Sequence, residues 1–219
     1  GSAIVSGFSL HADVKIYDKK PELSTHTFSE VINTSQYVFV GVPTPMKTVT
    51  GGEIVLDIMD SVFQDIINVK KSSSFSYDNV VFIIKSTVVP GTVERYQKLY
   101  PELRIVFVPE FLTERSARLD FINSSRIVLG GSQEDVDSVA SLYRDRFPYK
   151  QIIKTDVATA QFIKYMCNCF FAVKVSFMNE MKQAANAANI NWDHAMSGFV
   201  SDGRIGNSHL DVPGHDGSY

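Results

Sequence analysis

The chain has little cysteine, little histidine and little net charge, and each shortage removes a class of function. Its 219 residues carry two cysteines, five histidines and a formal net charge of −3. Cys167 and Cys169 stand two apart, too close on a helix to pair and too few for a disulfide framework. They read as small buried residues of a protein kept in a reducing cytoplasm. The histidines show no ligand-like spacing, so no metal site is expected. Lys and Arg form no stripe, which argues against a nucleic-acid partner. No apolar run reaches the roughly 18 residues of a membrane-spanning helix, and the first residues carry no basic leader that would suggest a signal peptide. What is present is 44% hydrophobic, ample for one large domain or a domain with an appendage.

Short apolar runs alternate with amphipathic stretches over the first two-thirds. Strand candidates lie at 14–17, 37–42, 80–84, 105–108, 127–129 and 152–153, several of them nearly continuous in Val, Ile and Phe. Helical stretches fall at 2–10, 54–69, 93–99 and 134–146. This alternation predicts an α/β fold, a Rossmann-like doubly wound and mostly parallel sheet, over residues 1–155. From Ala158 to about Ala188 there is neither Pro nor Gly, which predicts a helix of roughly 45 Å. Phe162, Met166, Phe170, Val173, Phe177 and Met181 recur on one of its faces three or four residues apart. A face that apolar needs a large partner surface, such as a second subunit. Residues 156–219 thus read as a helical dimerisation region, with a shorter helix over 192–200 and a Gly-rich loop after it.

Five places carry chemistry. A Rossmann fingerprint is a strand, a Gly-x-Gly-x-x-Gly turn opening a helix, and an acid about 20 residues on. Asp18 closes the run Val14-Lys15-Ile16-Tyr17 as that acid, to accept from ribose hydroxyls and favour NAD, although Lys19 and Lys20 suit a 2′-phosphate. Counting back, Gly1 occupies the third glycine position, with the first strand and two glycines expected before it. Val42-Pro43-Thr44-Pro45 and Lys85-Ser86-Thr87 follow apolar strands, and loops at strand carboxyl ends line the ligand crevice of open α/β sheets. Pro109-Glu110-Phe111-Leu112-Thr113-Glu114 brings two carboxylates four residues apart, able to divide the orienting of water or cofactor from contact with a substrate. Lys164 and Asn168 are spaced i, i+4, which sets an ammonium beside an amide on one helical face, where both can stabilise a developing oxyanion. Asn168 lies in an apolar run (Cys167, Cys169, Phe170, Phe171) where an unpaired amide would be unfavourable, and Lys164 would have a depressed pKa if buried.

The segments Lys85-Ser86-Thr87-Val88-Val89-Pro90-Gly91, Pro109–Glu114 and Lys164-Tyr165-Met166-Cys167-Asn168, with Arg204-Ile205-Gly206, together resemble the UDP-glucose/GDP-mannose dehydrogenase family. Two details depart from its pattern: Thr113 stands where the family has Arg, and Val89-Pro90 varies the order of the preceding turn. The resemblance implies an NAD-dependent oxidoreductase that converts the C6 hydroxyl of a UDP-hexose, UDP-glucose first, to a carboxylate in two hydride transfers. It implies catalytic roles for Thr87 (positioning a water), Glu110, Glu114, Lys164 and Asn168. Cofactor contacts would come from Gly1, Asp18, Val42, Pro43, Thr44, Ser86, Thr87 and Glu114. Substrate contacts would come from Glu110, Phe111, Leu112, Lys164, Asn168 and Arg204, the arginine often reaching across a subunit boundary. The family places a catalytic thiol in a glycine-rich loop that should begin where this chain stops, at Gly217-Ser218-Tyr219. The expectation is therefore a fragment of a cytoplasmic, homodimeric enzyme of polysaccharide biosynthesis, lacking the first strand, the thiol loop and the C-terminal domain. Two other readings stand beside it: a β-hydroxyacid dehydrogenase of the 6-phosphogluconate type, against which Pro-Glu-Phe-Leu and Arg-Ile-Gly speak, and a non-catalytic NAD-binding or dimerising remnant.

Overall fold

The computed structural model describes residues 1–47, 52, 54–73, 77–112 and 116–214. The chain divides into two compact units, Gly1–Lys164 and Tyr165–Tyr219. A five-stranded sheet organises the first, in the order β1 (Tyr37–Val40), β2 (Val81–Ile84), β3 (Arg104–Phe107), β4 (Arg126–Gly130) and β5 (Gln151–Thr155). The pairs β1–β2, β2–β3 and β4–β5 are parallel, while β3 meets β4 antiparallel through Phe107 and Gly130. β2 is buried at all four positions, as its unbroken Val-Phe-Ile-Ile requires.

Alternation along the strands divides the core into two layers. Phe82 and Ile84 pack with Ile32 of α2 (Phe28–Thr34), Met59 and Phe63 of α3 (Asp57–Ser72), and Val93 and Tyr96 of α4 (Thr92–Leu99). Val81 and Ile83 pack on the other side with Phe8 of α1 (Ser2–Phe8), Phe121 of α5 (Ala117–Asn123), and Val139 and Tyr143 of α6 (Gln133–Arg146). Local signals set the helix starts. Thr27 and Glu30 form a reciprocal capping box on α2, and Ser132 accepts from the Asp135 N–H at the start of α6. Gly91, at φ +92°, supplies the left-handed turn before α4.

The long helix α7 spans Val157–Ala187. Asp156 receives the Thr159 N–H and hydroxyl at 2.8 and 2.7 Å, which caps its first turn. Val157 and Ala160 join the sheet core, and the buried Gln161 donates to Glu94 at 2.7 Å. A Cβ on Gly130 would come within 2.6 Å of the Ala160 Cβ and 2.9 Å of the Asp156 carbonyl, so only glycine lets the helix start this close to β4. In the second unit, α8 (Trp192–Val200) is capped by Asn191. Lys174 donates to the carbonyls of Gly206 and Ser208, and Phe171 stacks on His209 at 4.1 Å. Phe162, Met166, Phe170, Val173, Phe177 and Met181 are all 43–64% exposed. Among the described residues no helix is long and apolar enough to cross a membrane.

Two expectations need correction. Residues 14–17 form no strand, because the Ile16 N–H and carbonyl bond to Thr25 and His26 in a loop and not to a sheet neighbour. Cys169 is exposed and Cys167 only half-buried, since that stretch of α7 carries an uncovered apolar face.

Candidate functional site

The carboxyl ends of β1, β2 and β3 carry most of the expected site. The buried Ser86 hydroxyl accepts from the Val42 N–H at 2.9 Å and donates to the Val42 carbonyl at 2.7 Å. Thr44 donates to the Thr87 carbonyl at 2.6 Å. These bonds sew the two adjacent strand ends into one surface on which Pro43 and Thr87 are exposed and Val42 and Thr44 half-buried. A Cβ added to Gly41 would meet nothing within 4 Å, so the backbone there borders open space.

β3 runs out into Val108–Leu112, where Glu110, Phe111 and Leu112 are half-buried. Lys164 reaches this segment from α7: its ammonium donates to the Glu110 carbonyl and lies 5.4 Å from the centre of the Phe111 ring. Arg126 covers the same ring at 4.9 Å. Lys85 is 6% exposed and donates to the Pro109 carbonyl at 3.5 Å. Burial pulls the Lys85 ammonium down to about 8, against the Glu110 carboxylate, which holds it up, and with Lys164, which lowers it further. Beside Lys85 is a cavity of about 30 Å³ lined also by Glu110, Phe121, Arg126, Tyr143 and Lys150. The Tyr143 hydroxyl is buried with no hydrogen-bond partner among the described residues, and burial first, then Glu110, raises its pKa.

The remaining expected residues are dispersed. Glu114, with Thr113 and Arg115, lies outside the described residues. Asn168 is exposed one turn beyond Lys164, so the burial argument made for its amide does not hold. Arg204 is exposed and held by its neighbour Asp202, with Nε–Oδ1 at 3.0 Å and Nη2–Oδ2 at 2.5 Å. Asp18 is exposed; its carboxylate accepts the Lys20 N–H at 2.9 Å, and its backbone is fixed by Ser24. Gly1 opens α1, its carbonyl accepting from Ile4 and Val5. A fixed, exposed carboxylate at Asp18 and open backbone at Gly41 fit the ribose and the spine of a dinucleotide. Sequence places Lys85 among the polar groups at a strand end without foreseeing its burial, and does not single out Tyr143. The available signal was period two: Lys85 continues the phase of Val81 and Ile83, which points it into the layer beneath α5 and α6.

Residues 9–146 match the NAD binding domain of the UDP-glucose/GDP-mannose dehydrogenase family, and residues 158–218 match its central domain. The UDP-glucose 6-dehydrogenase of Rickettsia conorii is 29% identical over 201 residues, which are 89% of this chain and 44% of that protein. The GDP-mannose 6-dehydrogenase of Pseudomonas savastanoi pv. phaseolicola is 30% identical over 189 residues, 81% of this chain and 42% of that one. A ternary complex of GDP-mannose dehydrogenase from Pseudomonas aeruginosa superposes with a TM-score of 0.71 at 26% identity, covering 85% of this chain and 43% of the other. The chain spans under half the length of the curated relatives it matches.

Proposed function

The chain belongs to the UDP-glucose/GDP-mannose dehydrogenase family, and from that premise we propose that the whole protein oxidises the C6 hydroxyl of a UDP-hexose, UDP-glucose first, to a carboxylate. Bound NAD supplies the hydride acceptor for each of the two steps. The observation that carries this reading is the meeting of Lys164 with the Glu110 turn at the end of β3. An alcohol that loses hydride and proton develops negative charge on its oxygen, and a fixed ammonium beside a strand end is placed to stabilise that charge without reorganising. Asn168, one turn on, is the second donor. Glu110 contacts the sugar, Glu114 orients water or cofactor, and Thr87 positions the water that completes the second oxidation. Ser86, by pinning Val42, shapes the surface on which the cofactor lies, with Asp18 on its ribose. Phe111 and Leu112 line the substrate side, and Arg204 reaches the nucleotide-sugar, its guanidinium exchanging Asp202 for a ligand anion.

The exposed apolar face of α7 supports a homodimer formed through that helix. A cytoplasmic place in polysaccharide biosynthesis follows from the same reading. The test is the full-length gene product incubated with NAD and, in parallel, UDP-glucose, UDP-N-acetylmannosamine and GDP-mannose. Two NADH per sugar acid, with UDP-glucose preferred, is the expected result. No NADH from any nucleotide sugar, or one equivalent with an aldehyde as end product, refutes it.

A further inference from the structure

We propose that Lys85 is a positioning residue for Glu110, holding the peptide before it while Lys164 holds the peptide after it, so that the carboxylate is presented in one orientation. The inference rests on the catalytic reading of Glu110 given above.

A lysine is an unfavourable choice at the end of β2. It is 6% exposed in a layer built from Val81, Ile83, Val108, Phe121 and Tyr143, and an ammonium removed from water is destabilising unless partners compensate. A methionine would fill the same space without that penalty. The geometry supplies a reason for the charge. Two planar peptide groups flank the Glu110 Cα, one carrying the Pro109 carbonyl and one the Glu110 carbonyl. Lys85 donates to the first and Lys164 to the second. The proline ring fixes the turn one residue earlier. With both flanking planes held, φ and ψ of Glu110 have little freedom, and its side chain starts from one place. Lys85 also faces the cavity of about 30 Å³ shared with the buried Tyr143 hydroxyl. The cavity wall is mostly apolar, so the Pro109 carbonyl and the nearby Glu110 carboxylate are the compensation the structure gives the ammonium.

Among the described residues, the charged groups around Lys85 are Glu110 and Lys164, and along the cavity wall Arg126 and Lys150, with the Tyr143 phenol. Lys85 keeps its proton up to about pH 8 and then releases it. Its hold on the turn should weaken at the same point.

The experiment uses the full-length protein with NAD and the nucleotide sugar it turns over. Lys85→Met should lower kcat about tenfold or more, since displacements on the order of 1 Å at a reacting centre carry such losses. The dissociation constant for NAD should stay within about twofold, because Glu110 is read as a contact to the sugar and not to the cofactor, so the loss should appear with the sugar alone. The alkaline limb near pH 8 should disappear from the profile of the variant. Lys85→Arg, which does not deprotonate, should recover part of kcat and carry the limb well above pH 8. Carbon-13 NMR of the lysine Cε groups supplies a readout independent of turnover. In Glu110→Gln the Lys85 midpoint should fall by about half a pH unit or more, because the carboxylate that raised it is gone. An unmoved Lys85 midpoint in Glu110→Gln overturns the proposal. So does a Lys85→Met enzyme with wild-type kcat and an unchanged profile. A wild-type protein inert toward every nucleotide sugar sinks the functional reading instead, and the NMR result then decides alone whether Lys85 and Glu110 act as a pair.

Discussion

Lys85→Met is expected to stabilise the fold at neutral pH. The side chain is almost fully buried, and burial takes its ammonium from the ordinary 10.5 to about 8. At roughly 1.4 kcal/mol per pH unit, that drop corresponds to about 3 kcal/mol of destabilisation. Because the folded pKa lies below the unfolded one, the sign is fixed. Below pH 8 the amine is charged in both states and the folded state bears the whole penalty. Between pH 8 and 10.5 the folded state loses its proton first, the unfolded state binds more protons, and stability rises with pH. Above 10.5 the penalty is gone. Methionine is close in volume and does not titrate, while the Pro109 carbonyl loses its donor, so the gain should be about 1–2 kcal/mol at pH 7 and should shrink as pH rises toward 10.5. Hydrogen exchange of the β2 amides, followed from pH 7 upward with correction for intrinsic rates, reports the stability of this layer. Lys150, also drawn down to about 8 by burial and Arg146, gives a slope of the same sign, so only the difference between wild type and variant counts. A variant no more stable than wild type at pH 7, or a difference that does not shrink as pH rises, refutes the reasoning.

Lys164→Ala in the full-length enzyme should lower kcat by about 10², comparable to removing one oxyanion donor, with a much smaller change in substrate affinity; Asn168→Ala should do the same, and steady-state kinetics with direct binding checks both. Asp18→Ala should erase the preference for NAD over NADP, measured as the ratio of kcat/KM for the two, since a carboxylate accepts from a 2′-hydroxyl and repels a 2′-phosphate. Phe170→Asp with Val173→Asp should convert a dimer to monomer in sedimentation at micromolar protein, because both positions lie on the uncovered face of α7.

The strands that sequence located well are those with unbroken Val, Ile and Phe; β2 begins one residue after its expected start and ends where expected. Residues 14–17 alternate plausibly, but alternation does not say whether a partner strand is alongside, and here Ile16 bonds to a loop. α2 went unread although Thr27 and Glu30 spell a capping box, because seven residues are too few for helical periodicity to stand out. For the candidate site, motif order singles out strand-end loops and Lys164, and the structure joins the β1 and β2 ends to each other and Lys164 to the Glu110 turn. Environment was harder: Asn168 has apolar neighbours along the chain, yet it is exposed, since on a helix neighbours in sequence occupy different faces. Lys85 was read as one more polar group at a strand end, and only its phase within β2 reveals that it is buried.

Gly130 sets a zero mark for the candidate site. The first turn of α7 rests so closely on this residue that a single methyl would collide with Ala160, and Lys164 sits one turn, or roughly 6 Å, further along the same helix. The ammonium is therefore indexed to the sheet through the helix base, and alterations in α7 past residue 165 leave that index untouched. One added carbon at position 130 would slide the ruler itself and carry Lys164 off the Glu110 carbonyl. The bond between Lys164 and the Glu110 turn thus leaves no room for a side chain at Gly130.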